Sequence, residues 1–207
     1  MDAAARAKKT PVTARGQRTQ QHLLHAAEKV FAEQGYANAS IAEITRRAGI
    51  GLGTFYVYYP NKEALFLELV DELGERLKNE VGAKMGAFTN RMERQRAAFL
   101  GFMEFTAKNR HLYRVIRQVE LVDEHAYRQY YKRLAHTYSS ALEQAMLEGE
   151  VARYDPEALA WMLMGIADFI GLRYVVWEEE PDFERILDDV TAFVEGGLRS
   201  PVRLAGR

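Results

Sequence analysis

The apolar residues of this chain recur at the three- and four-residue intervals of α-helices, and no alternating β-strand pattern competes with them. One face of the first predicted helix carries Leu23, Ala27, Val30 and Phe31. Gly35 follows where a left-handed residue would end that helix. A short helix is predicted over residues 41–48, because Ser40 and Glu43 have the spacing of a capping box.

Longer amphipathic helices are predicted for the rest of the chain. Their ranges are 61–85, 91–107, 110–122, 125–148, 156–177 and 183–194. Asn61, Asp155 and Asp182 stand at N-cap positions, and Pro156 suits a first helical position. The glycine pair at 196–197 is predicted to close the last helix. The pattern therefore predicts an all-α fold, without internal repeats.

Composition and charge narrow the class of protein. No cysteine occurs among the 207 residues, which excludes disulfides, cysteine-ligated zinc and thiol catalysis. No apolar run approaches the roughly 20 residues that a membrane helix needs, so a soluble cytoplasmic protein without a membrane partner is expected. Residues 1–60 carry eight Lys and Arg against four Asp and Glu, whereas residues 61–207 carry twenty against twenty-five. The chain thus combines a basic N-terminal part with an acidic body.

The segment ITRRAGIGLGTFYVYYPNKEAL, residues 44–65, has the pattern of a helix-turn-helix. Two short helices would be joined by a turn at Gly49, where a positive φ favours glycine. Gly51 and Gly53 would let the backbone approach a phosphate or a base edge closely. The core of this motif is predicted from its apolar residues: Ile41, Ile44, Ala48, Ile50 and Phe55, with Tyr59 beside them. A helix-turn-helix places its second helix in the major groove of DNA.

At these residues the sequence resembles the TetR family of transcriptional repressors. The matching positions are Ile44, Ala48-Gly49-Ile50, Gly53-Thr54-Phe55-Tyr56, Tyr58-Tyr59 and Lys62-Glu63-Ala64-Leu65. The resemblance covers residues 18–66, and beyond them it extends only to the number and arrangement of helices. Thr45 and Gly51 depart from the family pattern, which has a small alanine and a serine or threonine cap there. The change at Gly51 weakens the start of the recognition helix.

The resemblance implies a surface that holds double-stranded operator DNA. Its predicted residues are Arg18, Ser40, Thr45, Arg46, Gly51, Leu52, Gly53, Thr54, Tyr56, Tyr58 and Lys62. Tyr56, Tyr58 and Lys62 are expected to hold phosphates. The residues expected nearest to base edges are Thr45, Arg46, Leu52 and Thr54. The basic arm before the domain either reaches the minor groove through Arg15 or Arg18 or is a solvated tail.

The predicted domain boundaries follow from these assignments. A flexible basic arm is expected over residues 1–17 and a helix-turn-helix domain over 18–60. A larger helical domain for effector binding and dimerisation is expected over 61–199, followed by a tail over 200–207.

Enzyme and metal chemistry lack support in the sequence. No nucleophile, metal-site or phosphate-loop signature is present, so the protein is not expected to be an enzyme or to hold a cofactor. A group of acidic residues and histidines lacks metal-ligand spacing and is expected to be a solvated helix end: His111, Glu120, Asp123, Glu124 and His125.

The larger domain is rich in aromatic residues and methionines, which suit either a well-filled core or an apolar pocket with hydroxyls at its edge. Family resemblance favours the pocket. The predicted effector residues are Phe99, Phe102, Met103, Tyr113, Arg117, Tyr127, Tyr131, Tyr138, Trp161, Asp168 and Arg173. Arg117 and Arg173 either form ion pairs or receive an anionic group.

The chemistry of the effector rests on a second resemblance. Segments 111–134 and 161–177 resemble the effector domains of family members that govern fatty-acid degradation and respond to long-chain acyl-CoA. An acyl-CoA is therefore one expected effector. An aromatic or multidrug-type ligand is the alternative, and an architectural DNA binder without a ligand is the remaining one.

Family resemblance further implies a homodimer on a palindromic operator, in which the last two long helices pair with their mates as a four-helix bundle. The predicted interface consists of Leu163, Ile166, Ala167, Ile170, Gly171, Tyr174, Val190, Phe193 and Val194. Gly171 is expected where helices of two protomers approach closely; a core within one protomer is the other interpretation. An effector is expected to displace the helix that starts at Asn61, to change the separation of the two DNA-binding domains and so to release the operator.

Overall fold

A computed structural model describes residues 13–180 and 182–199, except for the side chain of Leu112. The helices are α1 (Ala14–Asn38), α2 (Ile41–Ala48), α3 (Leu52–Tyr58), α4 (Lys62–Met85), α5 (Arg91–Lys108), α6 (Arg110–Ile116), α7 (Val119–Val122), α8 (Glu124–Leu147), α9 (Pro156–Gly171) and α10 (Phe183–Arg199). A π-helical segment, Leu172–Val176, follows α9 directly. The described residues contain no strand, and the prediction of an all-α fold is confirmed. The first twelve residues of the predicted arm, and the tail from residue 200, lie outside the described residues.

Local capping signals explain where the first helices end. Gly35 has a φ of 73° and breaks α1, as predicted. The Ser40 hydroxyl accepts a hydrogen bond from the backbone N–H of Glu43 at 3.1 Å, which starts α2. Gly49 ends α2 with a φ of 67°. Gly51 provides no side-chain cap for α3, also as predicted.

Three helix boundaries differ from the prediction. Helix α1 begins at Ala14, inside the segment 1–17 that was predicted to be a flexible arm, because the Thr13 hydroxyl accepts from the N–H of Gly16 at 3.1 Å and caps it. The predicted helix 110–122 is two helices, α6 and α7, with a turn at Arg117 and Gln118. Helix α10 continues through the glycine pair at 196–197.

The extension of α10 has a tertiary cause. The hydroxyl of Tyr154 donates to the carbonyl of Gly197, and the N–H of Ala152 donates to the carbonyl of Leu198 at 2.8 Å. Leu198 is also buried. These contacts hold the last turn in place against the low helix propensity of glycine.

The chain forms two compact units. The first comprises Met1–Gly74 with His111–Tyr127, and the second comprises Glu75–Arg110 with Arg128–Arg207. Helices α6 and α7, expected in the effector domain from the sequence, therefore belong to the unit that carries the helix-turn-helix. Val115 and Val119 are buried, and Gln118 binds the backbone of α1. The boundary at residue 60 between a DNA-binding and an effector domain stays a prediction.

The first unit has a core of fully buried side chains. These are Leu23, Ala27, Val30, Phe31, Ile44, Phe55, Tyr59, Leu65, Phe66, Leu69 and Leu73. The rings of Phe31 and Phe66 meet edge to face with their centroids 5.1 Å apart, and the Tyr36 ring lies 4.8 Å from Phe66. Burying a large apolar side chain contributes about 1.5–3 kcal/mol, so this core fixes the helices that support the DNA-binding motif.

The second unit is built around α5, which packs against α9, the π-helical segment and α10. Its buried core includes Phe99, Met103, Leu142, Leu159, Leu163, Leu187, Val190 and Val194. In the part of the chain that the structure describes, one helix, Pro156–Val176, is long and apolar enough by length and composition to cross a membrane, which corrects the expectation that no such run exists. Leu159, Leu163 and Val175 place one face of this helix in the core of the unit.

Candidate DNA-binding surface and effector region

The helix-turn-helix consists of α2, the turn at Gly49 to Gly51, and α3. Ile44 and Phe55 are fully buried between the helices, and the rings of Phe55 and Tyr59 lie 5.7 Å apart. The N–H of Ile50 donates to the carbonyl of Thr45 at 3.0 Å and tightens the turn. These contacts fix the orientation of α3, which is the element that enters a groove in this motif.

The outer face of α3 is open to solvent. Leu52, Tyr56 and Val57 are each exposed over about half of their side chains, although they are large and apolar or aromatic. Gly53 and Thr54 are exposed beside them. Sequence reasoning did not single out Val57. Its exposure on a helix that is otherwise anchored in the core indicates a face made for contact with another molecule.

Arginines of α2 are held by carboxylates next to this face. The guanidinium of Arg46 donates from Nε and Nη2 to the two carboxylate oxygens of Glu43, at 2.8 and 2.7 Å. Arg47 donates to Glu43 at 2.7 Å and to Glu33 at 2.9 Å. These hydrogen bonds from Arg46 and Arg47 lower the pKa of Glu43 to about 2. The carboxylate of Glu43 therefore binds the arginines, and the returning half of the predicted capping box is not formed.

Two predicted DNA contacts are corrected by the structure. Thr45 is 4% exposed, and its hydroxyl donates to the carbonyl of Ala42 at 3.0 Å, so it cannot lie nearest to base edges. The ammonium of Lys62 is engaged within the chain. It donates to the carbonyls of Tyr36, Ala37 and Ala39 at 2.6, 3.4 and 2.8 Å.

Lys62 instead completes the end of α1. Its ammonium lies 4.3 Å from the centroid of the Tyr36 ring, and burial lowers the pKa of this lysine. The last carbonyls of a helix lack partners within the helix, and a cation there is favoured by their partial negative charge. From the other side, the side-chain oxygen of Gln118 accepts the N–H of Tyr36 at 2.7 Å. Sequence reasoning missed Gln118, because nothing local links it to a backbone group 82 residues away.

The other predicted DNA contacts keep accessible positions. Arg15, Arg18, Ser40, Arg46 and Gly51 are exposed. Tyr58 is half-buried at the end of α3. Arg15 and Arg18 lie on α1 and not on a flexible arm.

Residues 23–69 match the family model described as bacterial regulatory proteins, tetR family. This chain carries the DNA-binding domain of the TetR family. The protein is accordingly a DNA-binding transcriptional regulator, in line with the accessible face of α3.

Similarity to known proteins extends beyond the helix-turn-helix over most of the chain. The uncharacterized HTH-type transcriptional regulator YhgD of Bacillus subtilis is 23% identical over 182 residues, which is 85% of this chain and 94% of that protein. The fatty acid degradation regulator FadR from Bacillus halodurans has a TM-score of 0.77 at 23% identity, over 93% of this chain and 99% of that one. Transcriptional regulator FadR from Bacillus subtilis, solved in complex with stearoyl-CoA, has a TM-score of 0.73 at 20% identity, over 86% and 98%. At these identities the solved structures establish a shared fold.

The predicted effector residues fall in both compact units. Tyr113, Arg117 and Tyr127 belong to the first unit. The second unit holds Phe99, Phe102, Met103, Tyr131, Tyr138, Trp161, Asp168 and Arg173. Within it, the rings of Tyr131 and Trp161 stack with their centroids 6.1 Å apart. Phe99 and Met103 are buried in the core.

The two arginines proposed for an anion are engaged within the regulator. Arg173 is exposed, pairs with Glu178, and has its guanidinium 5.0 Å from the Tyr174 ring. Arg117 is also exposed and donates to the hydroxyl of Tyr113 at 3.1 Å. For Arg173 the structure therefore agrees with ion pairing, the alternative to an anion site. Asp168 is half-buried on α9.

The predicted dimer face needs a larger correction. Leu163, Val190 and Val194 lie in the core of the regulator's second unit and are not accessible to a partner. Gly171 is buried as well, and a Cβ built there would lie 2.7 Å from the Phe102 ring. The close approach at Gly171 is thus within one protomer. Ile166, Ala167, Ile170 and Tyr174 are half-buried, and Phe193 is 75% exposed.

Apolar residues outside the predicted dimer interface cover the opposite face of α9. Met162 and Phe169 are exposed, Phe169 to 68%, and with Gly165 they follow the i, i+3, i+7 spacing of one helical face. Trp177 is exposed beyond the end of the helix. Among the described residues no group of three or more His, Cys, Asp or Glu has the arrangement of a metal site.

Proposed function

We propose that this protein is a transcriptional repressor that binds a palindromic operator as a homodimer and is released by an acyl effector. The observation that carries the proposal is the accessible face of α3 in a TetR-family DNA-binding domain, joined to a helical unit with an exposed apolar face. A regulator of one operator needs a second recognition helix, because a single motif contacts too few bases.

We propose Leu52, Thr54, Tyr56 and Val57 as the groove contacts of α3, with Arg46 at the edge. Of these five side chains, Arg46 alone could donate two hydrogen bonds to one base, and its guanidinium is already bound to Glu43. Specificity should therefore depend on methyl contacts and on DNA shape more than on a row of bidentate hydrogen bonds. Tyr58, Ser40 and Arg18 are proposed as backbone contacts.

The second copy is proposed to pair through the exposed side of α9 and α10. Met162 and Phe169 on α9 and Phe193 on α10 present apolar surface. At Gly165 and Gly196 an added Cβ would meet nothing within 4 Å, so these positions leave the helix surfaces open. An exposed apolar surface made of two helices fits the helical pairing expected for the family.

The double variant Phe169→Glu with Phe193→Glu should be a folded monomer that no longer binds a full operator. Buried glutamates on both sides of an apolar interface would face like charges and lose their hydration. Sedimentation measures the mass, and circular dichroism measures the helix content. Leu147→Glu is the matched control, since Leu147 is equally exposed but lies at the end of α8. An intact dimer in the double variant would refute this interface.

An acyl compound is proposed as the effector because regulators with this fold include one solved with stearoyl-CoA. The second unit supports the proposal with an apolar core against which aromatic side chains and methionines pack, among them Tyr138, Met92 and Met146. An aromatic or multidrug-type ligand is the second candidate, favoured by the stacked pair Tyr131 and Trp161. Helix α4 has residues in both units, and we propose that it transmits the effector signal.

Titration of stearoyl-CoA onto the repressor bound to its operator should release the DNA. The coupling between effector and DNA typically corresponds to a 5- to 150-fold change in affinity. Fluorescence anisotropy of labelled operator measures it, with stearate and methyl stearate as the free-acid and uncharged comparisons. Release by a planar aromatic cation but by none of the three acyl compounds would favour the second candidate. No response to any of them would refute the acyl proposal.

A further inference from the structure

Two polar residues near the start of α5 are buried among apolar ones. Arg91 is 9% exposed and Gln95, one helical turn later, is 3% exposed. The Nε of Arg91 has no hydrogen-bond partner in the part of the chain that the structure describes, and the Nε2 of Gln95 has only a loose contact with the Tyr138 hydroxyl. Proteins rarely retain buried donors without acceptors, because each loses its hydration without replacement. A buried guanidinium is the more costly of the two.

Tyr138 of α8 places a third polar group beside these donors. Burial raises the pKa of the Tyr138 hydroxyl, and the charge of Arg91 and the amide of Gln95 oppose that effect. Burial also lowers the pKa of Arg91, whereas the nearby Tyr138 raises it. Arg94 and Glu150 are the charged residues that act on Arg91, and both are exposed. Among the described carboxylates none forms an ion pair with Arg91.

The surroundings of the three groups are apolar. Tyr138 and Met92 pack against the core that holds Phe99, Met103 and Leu142. Methionine side chains are flexible and adapt to irregular apolar ligands. A cation and an amide donor at one point of such a core match a ligand with one anionic oxygen-bearing group and a hydrocarbon body.

We propose that Arg91 and Gln95 anchor the carboxylate of an apolar acid, with the Tyr138 hydroxyl as a third contact and the hydrocarbon part among Phe99, Met103 and Leu142. Arg91 thereby takes the anion-binding role that the sequence suggested for Arg117 or Arg173. Both of those arginines are exposed and already bound to other side chains. The inference rests on the proposed function only in taking this ligand as the effector, and binding is tested without DNA.

Binding of decanoate to the full chain should be measurable by calorimetry, with 1-decanol as the neutral ligand of the same length. Arg91→Met should weaken decanoate binding by about 10- to 100-fold, the range for a lost charge-assisted hydrogen bond. It should leave decanol binding within about twofold, because methionine keeps the apolar stem. Gln95→Leu should weaken decanoate in the same direction by a smaller factor.

Thermal unfolding separates this role from a structural one. Since Arg91 has no acceptor for its Nε, Arg91→Met should keep or raise the melting temperature of the ligand-free chain. Decanoate should raise the melting temperature of the wild type and not that of the variant. A lower melting temperature with unchanged decanoate affinity would overturn the proposal, and so would a wild-type chain that binds no decanoate.

The two proposals fail in different ways. Loss of decanoate binding in Arg91→Met without any effect of decanoate on operator binding would leave the anchor standing and refute its use as an effector site. Equal decanoate affinity in Arg91→Met and in the wild type, together with release of the operator by stearoyl-CoA, would overturn the anchor and support the acyl-responsive function.

Discussion

Replacing Lys62 with methionine should destabilise the DNA-binding unit and weaken its binding to all DNA sequences alike. The ammonium of Lys62 is the donor for the carbonyls of Tyr36, Ala37 and Ala39, and methionine removes it while keeping apolar contact with the Tyr36 ring. Hydrogen bonds to a charged group contribute about 1.5–3 kcal/mol, and the partial exposure of Lys62 lowers that to about 1–2 kcal/mol in total. Chemical denaturation measures the free energy of unfolding.

The salt dependence of DNA binding identifies the origin of the defect. A lysine that neutralises a phosphate changes the slope of log affinity against log salt by about one ion, whereas a lysine that caps a helix leaves the slope unchanged. Arg46→Met is the matched control, because Arg46 is exposed beside α3 and is expected to alter affinity without altering stability. If Lys62→Met has normal stability and a flatter salt slope, Lys62 contacts a phosphate, as the family motif predicts.

The family motif and the structure assign different roles to the same lysine for a physical reason. Spacing in the sequence identifies Lys62 as the start of α4, where a cation near DNA suggests a phosphate contact. The direction of the Lys62 side chain is set by the carbonyls of Tyr36 and Ala39, which lie 26 and 23 residues earlier in the chain. Those carbonyls lie at the end of α1, just after the break at Gly35, and the sequence predicts the break but not the residue that binds the carbonyls there.

Local signals account for the parts of the site that were predicted correctly. The Ser40 cap, the left-handed Gly49 and the uncapped Gly51 depend on neighbouring residues, and the bounds of α2 agree with the prediction. Burial of Thr45 was not predictable in this way. From the sequence alone, the hydroxyl that distinguishes Thr45 from alanine could face DNA. In α2 it faces the helix itself and donates to the carbonyl of Ala42.

The dimer face shows where periodicity stops being informative. Helix α9 is apolar nearly all round, so its spacing identifies a buried helix but not which side faces the protomer core. Packing of α5 decides this, since Phe99 and Met103 lie in one cluster with Leu163 and Val190. Phe169 and Phe193 are left on the outside. The assignment of α6 and α7 to the first unit likewise depends on Gln118, a contact distant in sequence.

Gly171→Leu should lower the stability of the second unit by about 1–3 kcal/mol and leave the dimer intact. A Cβ at residue 171 would lie 2.7 Å from the Cε1 of Phe102, closer than real Cβ atoms come to a neighbour. The remaining leucine atoms would extend into the same ring, which must turn away from the buried side of α9. Because the clash lies inside one protomer, sedimentation should still show a dimer. A folded monomer would instead place Gly171 at the interface.

A matched variant and a double-mutant cycle assign the loss of stability to this contact. Gly82→Leu on α4 introduces the same side chain where an added Cβ meets nothing within 4 Å, so it should be neutral or stabilising through higher helix propensity. Phe102→Ala removes the ring that leucine would strike. Gly171→Leu should therefore cost less in the Phe102→Ala background than in the wild type, with a coupling of about 0.5–3 kcal/mol. Strictly additive losses would show that the strain at Gly171 arises from another neighbour.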